Sequence, residues 1–380
     1  MKALVVGGGT GGHIYPALAV MEEIERRSEG KDKICYLGAR GEISADFSPY
    51  RDKGWQFATI RIKGISRDSP LRALKALLLL PVGFLQALAL LCRLRPDVIY
   101  GTGSYVSLPA VLWGELFGIP AIIHEFNARP SLTNRLLAPF ASLIAVSSKE
   151  GSTGLRDKGE RIEQIPTPVR KAIREGEKDK DSEIDQGAGG LQLDLEGKGK
   201  VVSVFGGSHG SKTILEEVLS TLEKDGELTE KCRFILQTGR KNFRWAKEKS
   251  QRIRADKVRV IDYIDRMALA YRASDLVICR GGASTIAELT VTKTPAIIVP
   301  WSGAAGDHQC HNARLLEEKG AAISVEEDEW SSFPLSQKLR ELLFHGGRLD
   351  EMKNSFSNCD RGAEEIVTNM KKINSKGAKK

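Results

Sequence analysis

The chain has 380 residues, 41% of them hydrophobic and 28% charged, with a formal net charge of +8. That composition excludes a disordered or fibrous chain, and the length suits two globular domains better than one. The basic excess favours an anionic partner (nucleic acid, phospholipid surface or phosphorylated substrate) without choosing among them.

From the N-terminus, Met1-Lys2 leads directly into the apolar run Ala3–Val6 and a glycine loop, which is not how a secretion signal ends. The six cysteines, Cys35, Cys92, Cys232, Cys279, Cys310 and Cys359, form no CxxC pair, and a reduced cytoplasmic protein is the simplest expectation. Short β-rich runs then alternate with helical patterns, the signature of βαβ units and parallel sheets. In the first half the runs include Ala3–Val6, Ile34–Leu37, Asp97–Tyr100, Ala121–His124 and Leu143–Val146. Val201–Phe205, Phe234–Gln237, Leu276–Cys279 and Ala296–Pro300 follow in the second half.

Gly7-Gly8-Gly9-Thr10-Gly11-Gly12 satisfies GxGxxG after a strand. A dinucleotide-binding dehydrogenase also needs an acidic residue closing its second strand, and here Ile34–Leu37 runs into Gly38-Ala39-Arg40. Only an NADP reading, with Arg40 meeting a 2′-phosphate, survives that test. The general physics holds either way: glycines let main-chain N–H groups approach a ligand, and the helix start behind them favours negative charge.

Residues 76–92 carry no charge and are mostly Leu and Ala. Seventeen residues is the short limit for a membrane span, and Pro81, Gly83 and Gln86 interrupt the run. A wholly buried core helix is one reading. The favoured one is a helix pair partly exposed as an apolar patch, with Leu79, Phe84 and Leu85 outward and Arg72, Lys75, Arg93 and Arg95 as a basic rim. Such a surface suits an anionic membrane.

The rhythm fails between Glu175 and Lys200, where Glu, Lys, Asp and Gly leave little to bury. Beyond it Val202-Ser-Val-Phe-Gly-Gly-Ser208 echoes Ala3-Leu-Val-Val-Gly-Gly-Gly9. The expected organisation is a first Rossmann-like domain over 1–168, a linker or surface excursion over 169–199 and a second domain over 200–345. A C-terminal helix over 351–372 would pack back on the first domain, and a cleft would separate the two.

Five of the six histidines, His13, His124, His209, His308 and His311, lie beside glycine loops or strand ends, the edges where α/β proteins bind ligands. His308-Gln-Cys310-His311 fits no zinc spacing, and no metal site is expected. In Cys279-Arg-Gly-Gly-Ala-Ser-Thr-Ile-Ala-Glu288-Leu289 a strand meets a Gly-Gly turn and a helix start. A helix start can hold a diphosphate, and Glu288, about one turn in, can accept two ribose hydroxyls. In isolation a surface carboxylate near a helix N-terminus reads equally well.

Together these motifs resemble the MurG family, which transfers N-acetylglucosamine from UDP to undecaprenyl-pyrophosphoryl-muramyl-pentapeptide. The resemblance rests on Gly8–Ala17, Gly101–Ser107, His124–Asn127, Thr133–Arg135, Gly206–Gly210, the Glu288 segment, Asp307–Gln309 and Asn312-Ala313, in family order. It implies an α/β fold of GT-B type, two Rossmann-like parallel-sheet domains, with donor bound mainly by the second domain and acceptor by the first. Carried over by position, Glu288 would hold the ribose, Ile264 would lie beside the uracil and Ser208 would contact the diphosphate. His308 and Gln309 would read the sugar hydroxyls, and Arg170 would lie near the nucleotide. Thr10, Gly11, Gly12 and Asn127 would also reach the donor. Thr10, His13, Tyr105 and Asn127 would line the acceptor side, joined by Asn134. Phe126 stands where the family has Gln, Ser131 where it has Gly and His308 where some members have Gln, while the 171–200 stretch is longer.

The implied reaction is inverting: the acceptor 4-hydroxyl attacks the anomeric carbon as UDP leaves. It needs a base and charge stabilisation on the leaving diphosphate. His13 is the candidate base, with Glu125 next. Glycine-loop amides and helix starts would hold the diphosphate, and no DxD motif marks a metal bridge. No cofactor is expected to bind tightly, a divalent cation being at most stimulatory. Expected partners are UDP-GlcNAc, an undecaprenyl-linked lipid and an anionic membrane surface, not nucleic acid, with the protein peripheral on the cytoplasmic face of the cell membrane. The alternatives are another glycolipid transferase of this architecture, a UDP-sugar epimerase, and a non-enzymatic basic lipid- or nucleic-acid-binding module.

Overall fold

A computed structural model describes the chain except residues 42–47, 65–68, 157–160, 176–198, 208–209, 254–256, 358–360 and 378–380. It divides into two units, Met1–Arg170 with Asp360–Lys380, and Lys171–Cys359.

In the first unit seven parallel strands stand in the order β3-β2-β1-β4-β5-β6-β7. They are β1 (Lys2–Val6), β2 (Lys33–Ala39), β3 (Gln56–Ile60), β4 (Val98–Gly101), β5 (Ala121–Glu125), β6 (Leu143–Val146) and β7 (Ile162–Gln164). The central strands are continuous apolar runs because helices cover both faces, so every side chain has a core to enter. On one face Leu18, Met21 and Ile24 pack with Ile366, Val367 and Met370. On the other, Leu4 and Val6 meet Ala87, Leu91, Ala110 and Val111.

The second unit has six parallel strands in the order β10-β9-β8-β11-β12-β13. These are β8 (Lys200–Phe205), β9 (Cys232–Gln237), β10 (Val258–Ile261), β11 (Leu276–Cys279), β12 (Ala296–Ile298) and β13 (Ala322–Ser324). In both sheets the order reverses beside the first strand, between β1 and β4 and between β8 and β11. A crevice opens at the carboxyl ends of the strands at such a reversal, and ligands of open α/β sheets bind there. All four strands at the two reversals end in glycine-rich loops, at 7–12, 101–103, 206–210 and 281–282.

The boundaries depart from the sequence reading. Helix Lys171–Glu175 belongs to the second unit, so the expected linker over 169–199 is already structured at its start; 176–198 lies outside the described residues. The second unit also runs beyond 345. The single helix expected over 351–372 is two, Arg348–Asn354 and Gly362–Gly377. Leu349 and Met352 of the former fit the second core, whereas Ile366, Val367 and Met370 fit the first. Gly362 lets the last helix start against Pro166, since a Cβ there would stand 2.1 Å from the Pro166 carbonyl oxygen.

Candidate active site

Around the first reversal, Gly9 has φ +96°, and a Cβ on it would meet the Tyr105 ring at 3.1 Å. Only glycine lets the loop fold beneath that ring. Thr10, exposed, precedes helix Gly11–Ser28 without capping it through its side chain. Within the first turn His13 Nδ1 lies 2.7 Å from the Thr102 carbonyl oxygen, while the Thr102 hydroxyl donates to the Val6 carbonyl at 3.0 Å. A carbonyl only accepts, so Nδ1 carries the proton, and in the neutral ring the lone pair is on Nε2.

Glu125, Asn127, Ser131 and Asn134 form one net at the end of β5. One Glu125 oxygen accepts the Asn127 main-chain N–H at 3.0 Å and its amide at 2.9 Å; the other accepts the Ser131 N–H and the Asn134 amide, both at 2.8 Å. With Glu125 at 1% exposure and two donors on each oxygen, its carboxylate shapes the loop and is badly placed to take a proton from a substrate. Ser131, in place of glycine, caps helix Leu132–Leu137 by accepting the Asn134 N–H. Phe126 packs on His124 at 4.6 Å and lies 6.1 Å from the His13 ring.

His124 is core rather than ligand-facing. Its Nδ1 accepts the Tyr100 hydroxyl at 3.0 Å and its Nε2 donates to the Ile165 carbonyl at 3.1 Å. Burial pulls its pKa down to about 3, against the opposing pull of the Ile165 carbonyl, and keeps the ring neutral. Arg170, expected near the nucleotide, sits at the end of the first unit with its guanidinium 4.1 Å above the Tyr15 ring.

In the second unit Gly206 and Gly210 are dictated by sterics: a Cβ would stand 2.1 Å from the Ser211 nitrogen and 1.8 Å from the Thr238 oxygen respectively. Between them Gly207 has open space, while Ser208 lies outside the described residues. After β11, the Gly281-Gly282 turn opens helix Ala283–Thr292, which carries Glu288. Glu288 is 8% exposed and accepts the Tyr271 hydroxyl at 3.0 Å. The side chain of Ile264 is buried (2%) rather than displayed as a flat contact for a base.

His308, half-buried, begins helix His308–Glu317, and the next residue, Gln309, accepts the Trp301 main-chain N–H at 3.0 Å. This helix start touches the Gly281 turn: a Cβ on Gly281 would be 2.4 Å from the Gln309 main-chain oxygen, and the Asn312 amide donates to the Gly281 carbonyl at 3.1 Å. Sequence reasoning missed Tyr271, Arg280 and Glu327, whose partners lie 17 to 69 residues away with no shared motif. Among the described residues no group of three or more His, Cys, Asp or Glu is placed to hold a metal ion.

The uncharged run is one continuous helix, Pro70–Leu94, that passes through Pro81; the expected helix pair is corrected accordingly. Gly83 lies against Ile62, and the Gln86 side chain accepts the Arg61 N–H at 2.7 Å, so two of the residues that interrupt the apolar run are on its inner face, while Pro81 is exposed. Leu85 is outward as expected, at 64% exposure, but Leu79 and Phe84 are half-buried. Leu71, Leu74, Leu77 and Leu78 are exposed as well. Within it, Ala73–Leu94 is long and apolar enough to cross a membrane by length and composition. Its packing against helix Ser107–Leu116, with the Trp113 indole donating to the Phe84 carbonyl at 2.9 Å, ties it into the domain.

Residues 3–146 match the glycosyltransferase family 28 N-terminal domain and residues 201–369 its C-terminal domain. A UDP-N-acetylglucosamine–N-acetylmuramyl-(pentapeptide) pyrophosphoryl-undecaprenol N-acetylglucosamine transferase of Halothermothrix orenii is 36% identical over the whole of both chains. The Myxococcus xanthus protein of the same name is 34% identical, covering 93% of this chain and 87% of that one. Among solved structures, the MurG of Acinetobacter baumannii superposes with a TM-score of 0.70 at 24% identity, over 98% of this chain and all of that one. A UDP-GlcNAc 2-epimerase from Neisseria meningitidis, bound to UDP-GlcNAc, gives 0.68 at 12% identity over the same shares. Both structures share the fold.

Proposed function

The chain belongs to the family of UDP-N-acetylglucosamine–N-acetylmuramyl-(pentapeptide) pyrophosphoryl-undecaprenol N-acetylglucosamine transferases, the MurG family, and on that premise we propose how its residues divide the reaction. It moves N-acetylglucosamine from UDP-GlcNAc to the 4-hydroxyl of lipid-linked muramyl-pentapeptide, with inversion, in peptidoglycan synthesis. The first unit supplies the base and the acceptor contacts, and the second unit holds the donor.

His13 is the base. The observation that carries this is its Nδ1 contact to the Thr102 carbonyl, which puts the lone pair of the neutral ring on Nε2. As the 4-oxygen attacks, Nε2 takes its proton, the anomeric carbon–oxygen bond breaks, and the electron pair leaves on the diphosphate. Tyr105 and Asn127 line the acceptor side, with Glu125 ordering Asn127 and the buried Asn134 behind it. Glu288 holds the ribose hydroxyls, and main-chain N–H groups of the 206–210 loop and the 281–283 helix start meet the diphosphate. His308 and Gln309 read the sugar. No tightly held cofactor is needed, a divalent cation stimulating at most. The protein works peripherally at the cytoplasmic face of the membrane, with the exposed leucines of Pro70–Leu94 in anionic lipid, and takes no nucleic acid.

UDP release from UDP-GlcNAc, measured with and without lipid-linked muramyl-pentapeptide, tests the reading. Release that depends on the acceptor supports it. Conversion of the donor to an epimer without acceptor would replace it with the epimerase reading.

A further inference from the structure

Beside the donor residues, one ion pair joins segments from across the second unit. Arg280, directly after β11, and Glu327, beyond β13, pair with both side chains 13% exposed. Arg280 also donates to the Val299 and Pro300 carbonyls at 3.1 and 3.3 Å and to the Ser211 hydroxyl at 2.7 Å. The second Glu327 oxygen accepts the Ser302 N–H at 3.1 Å and its hydroxyl at 2.9 Å. The two charged groups therefore grip the turn 299–302 from both sides. Burial opposes the Glu327 charge, but Arg280 and Ser302 overcome it and hold the carboxyl below the ordinary glutamate range.

Trp301 is the residue inside that grip. Its indole is exposed at the surface, and its main-chain N–H donates to the side-chain oxygen of Gln309. An amide whose oxygen faces a fixed N–H must turn its amino group to the opposite side. The orientation of the Gln309 carboxamide is thus set by the turn, and the turn by Arg280 and Glu327.

We propose that Glu327 is a positioning residue for donor-sugar recognition, acting through Arg280 and Ser302 on the 299–302 turn and through the Trp301 N–H on the Gln309 carboxamide. This rests on the reading of Gln309 as a sugar contact. A carboxamide presented as a donor distinguishes hydroxyl configurations, so losing its orientation should relax sugar discrimination while leaving the nucleotide end alone.

The test uses the full chain with Glu327→Gln, Glu327→Ala and Gln309→Ala. It measures KM and kcat for UDP-GlcNAc, the kcat/KM ratio of UDP-GlcNAc to its 4-epimer UDP-GalNAc, and UDP affinity by calorimetry. Expected for Glu327→Gln, which keeps the shape but not the charge, is a KM raised about tenfold, discrimination reduced about tenfold and UDP affinity within about twofold of wild type. UDP binding doubles as the folding control, and if Glu327→Ala loses it the isosteric variant decides. Unchanged discrimination in Glu327→Gln, or UDP affinity falling in step with KM, overturns the proposal. If Gln309→Ala itself leaves discrimination intact, the sugar-contact reading fails first and takes the proposal with it. If Gln309→Ala relaxes discrimination and Glu327→Gln does not, only the positioning role is lost.

Discussion

His13 Nδ1 and the main-chain carbonyl oxygen of Thr102, 2.7 Å apart, tie the first turn of the helix after β1 to the loop after β4 across the reversal of the first sheet. Because the partner is main chain, no substitution at position 102 removes it, and the imidazole keeps one orientation and one neutral tautomer.

His13→Ala should therefore lower turnover by about two to four decades, the usual worth of a general base, with UDP affinity unchanged. Wild-type rate should fall on the acid side, where the imidazolium has no lone pair, and that limb should be missing from the variant's profile. A folded His13→Ala enzyme with near-wild-type turnover would exclude His13 as base.

Glu288→Ala should weaken UDP by about one to two decades, since a charged hydrogen-bond partner contributes roughly 1.5–3 kcal/mol. Tyr271→Phe, which removes the hydroxyl that orients this carboxylate, should cost less, about three- to tenfold. Calorimetry on both variants reads this, and an unaltered dissociation constant for Glu288→Ala rejects this helix as the ribose site.

His124 gives a pH signature in stability. Its folded pKa, about 3, lies below the ordinary value of 6.5, so between these values the unfolded chain binds a proton that the folded chain does not. Stability should thus be full above pH 6.5 and fall with pH through that window, by about 2 kcal/mol from pH 7 to pH 5 at ~1.4 kcal/mol per unit. Urea unfolding of His124→Gln should show a pH dependence weaker by that amount. An identical dependence in the variant would assign it to other groups.

Leu74→Ser, Leu78→Ser and Leu85→Ser combined should leave the melting temperature near wild type, because these side chains are exposed. Binding to vesicles of anionic phosphatidylglycerol should drop about tenfold or more, and high salt should weaken wild-type binding without abolishing it. Leu91→Ser, at a core position, should instead lower the melting temperature. Vesicle binding unchanged in the triple variant would move the membrane surface elsewhere.

Local rules made much of this protein legible before folding. Apolar runs bounded by glycine specified the strands, since a parallel strand covered on both faces must be apolar throughout. Glycine loops at strand ends marked both sheet reversals, because only glycine tolerates the φ of Gly9 or the approach of Gly210 to Thr238. The order of motifs named the family. Tertiary structure alone decided the rest. In sequence His13 is the first candidate base and Glu125 the second; in the structure four N–H donors converge on Glu125 and the Thr102 carbonyl orients His13. His124 stands among the same motifs yet is core, as burial depends on what packs over a strand end. Leu79 and Leu78 are adjacent and alike, yet Leu79 is half-buried and Leu78 is exposed, because what packs beside the helix and not its sequence sets their exposure. The Arg280–Glu327 pair spans 47 residues, and no periodicity reports a contact at that separation, because it exists only once β11 and β13 are in one sheet.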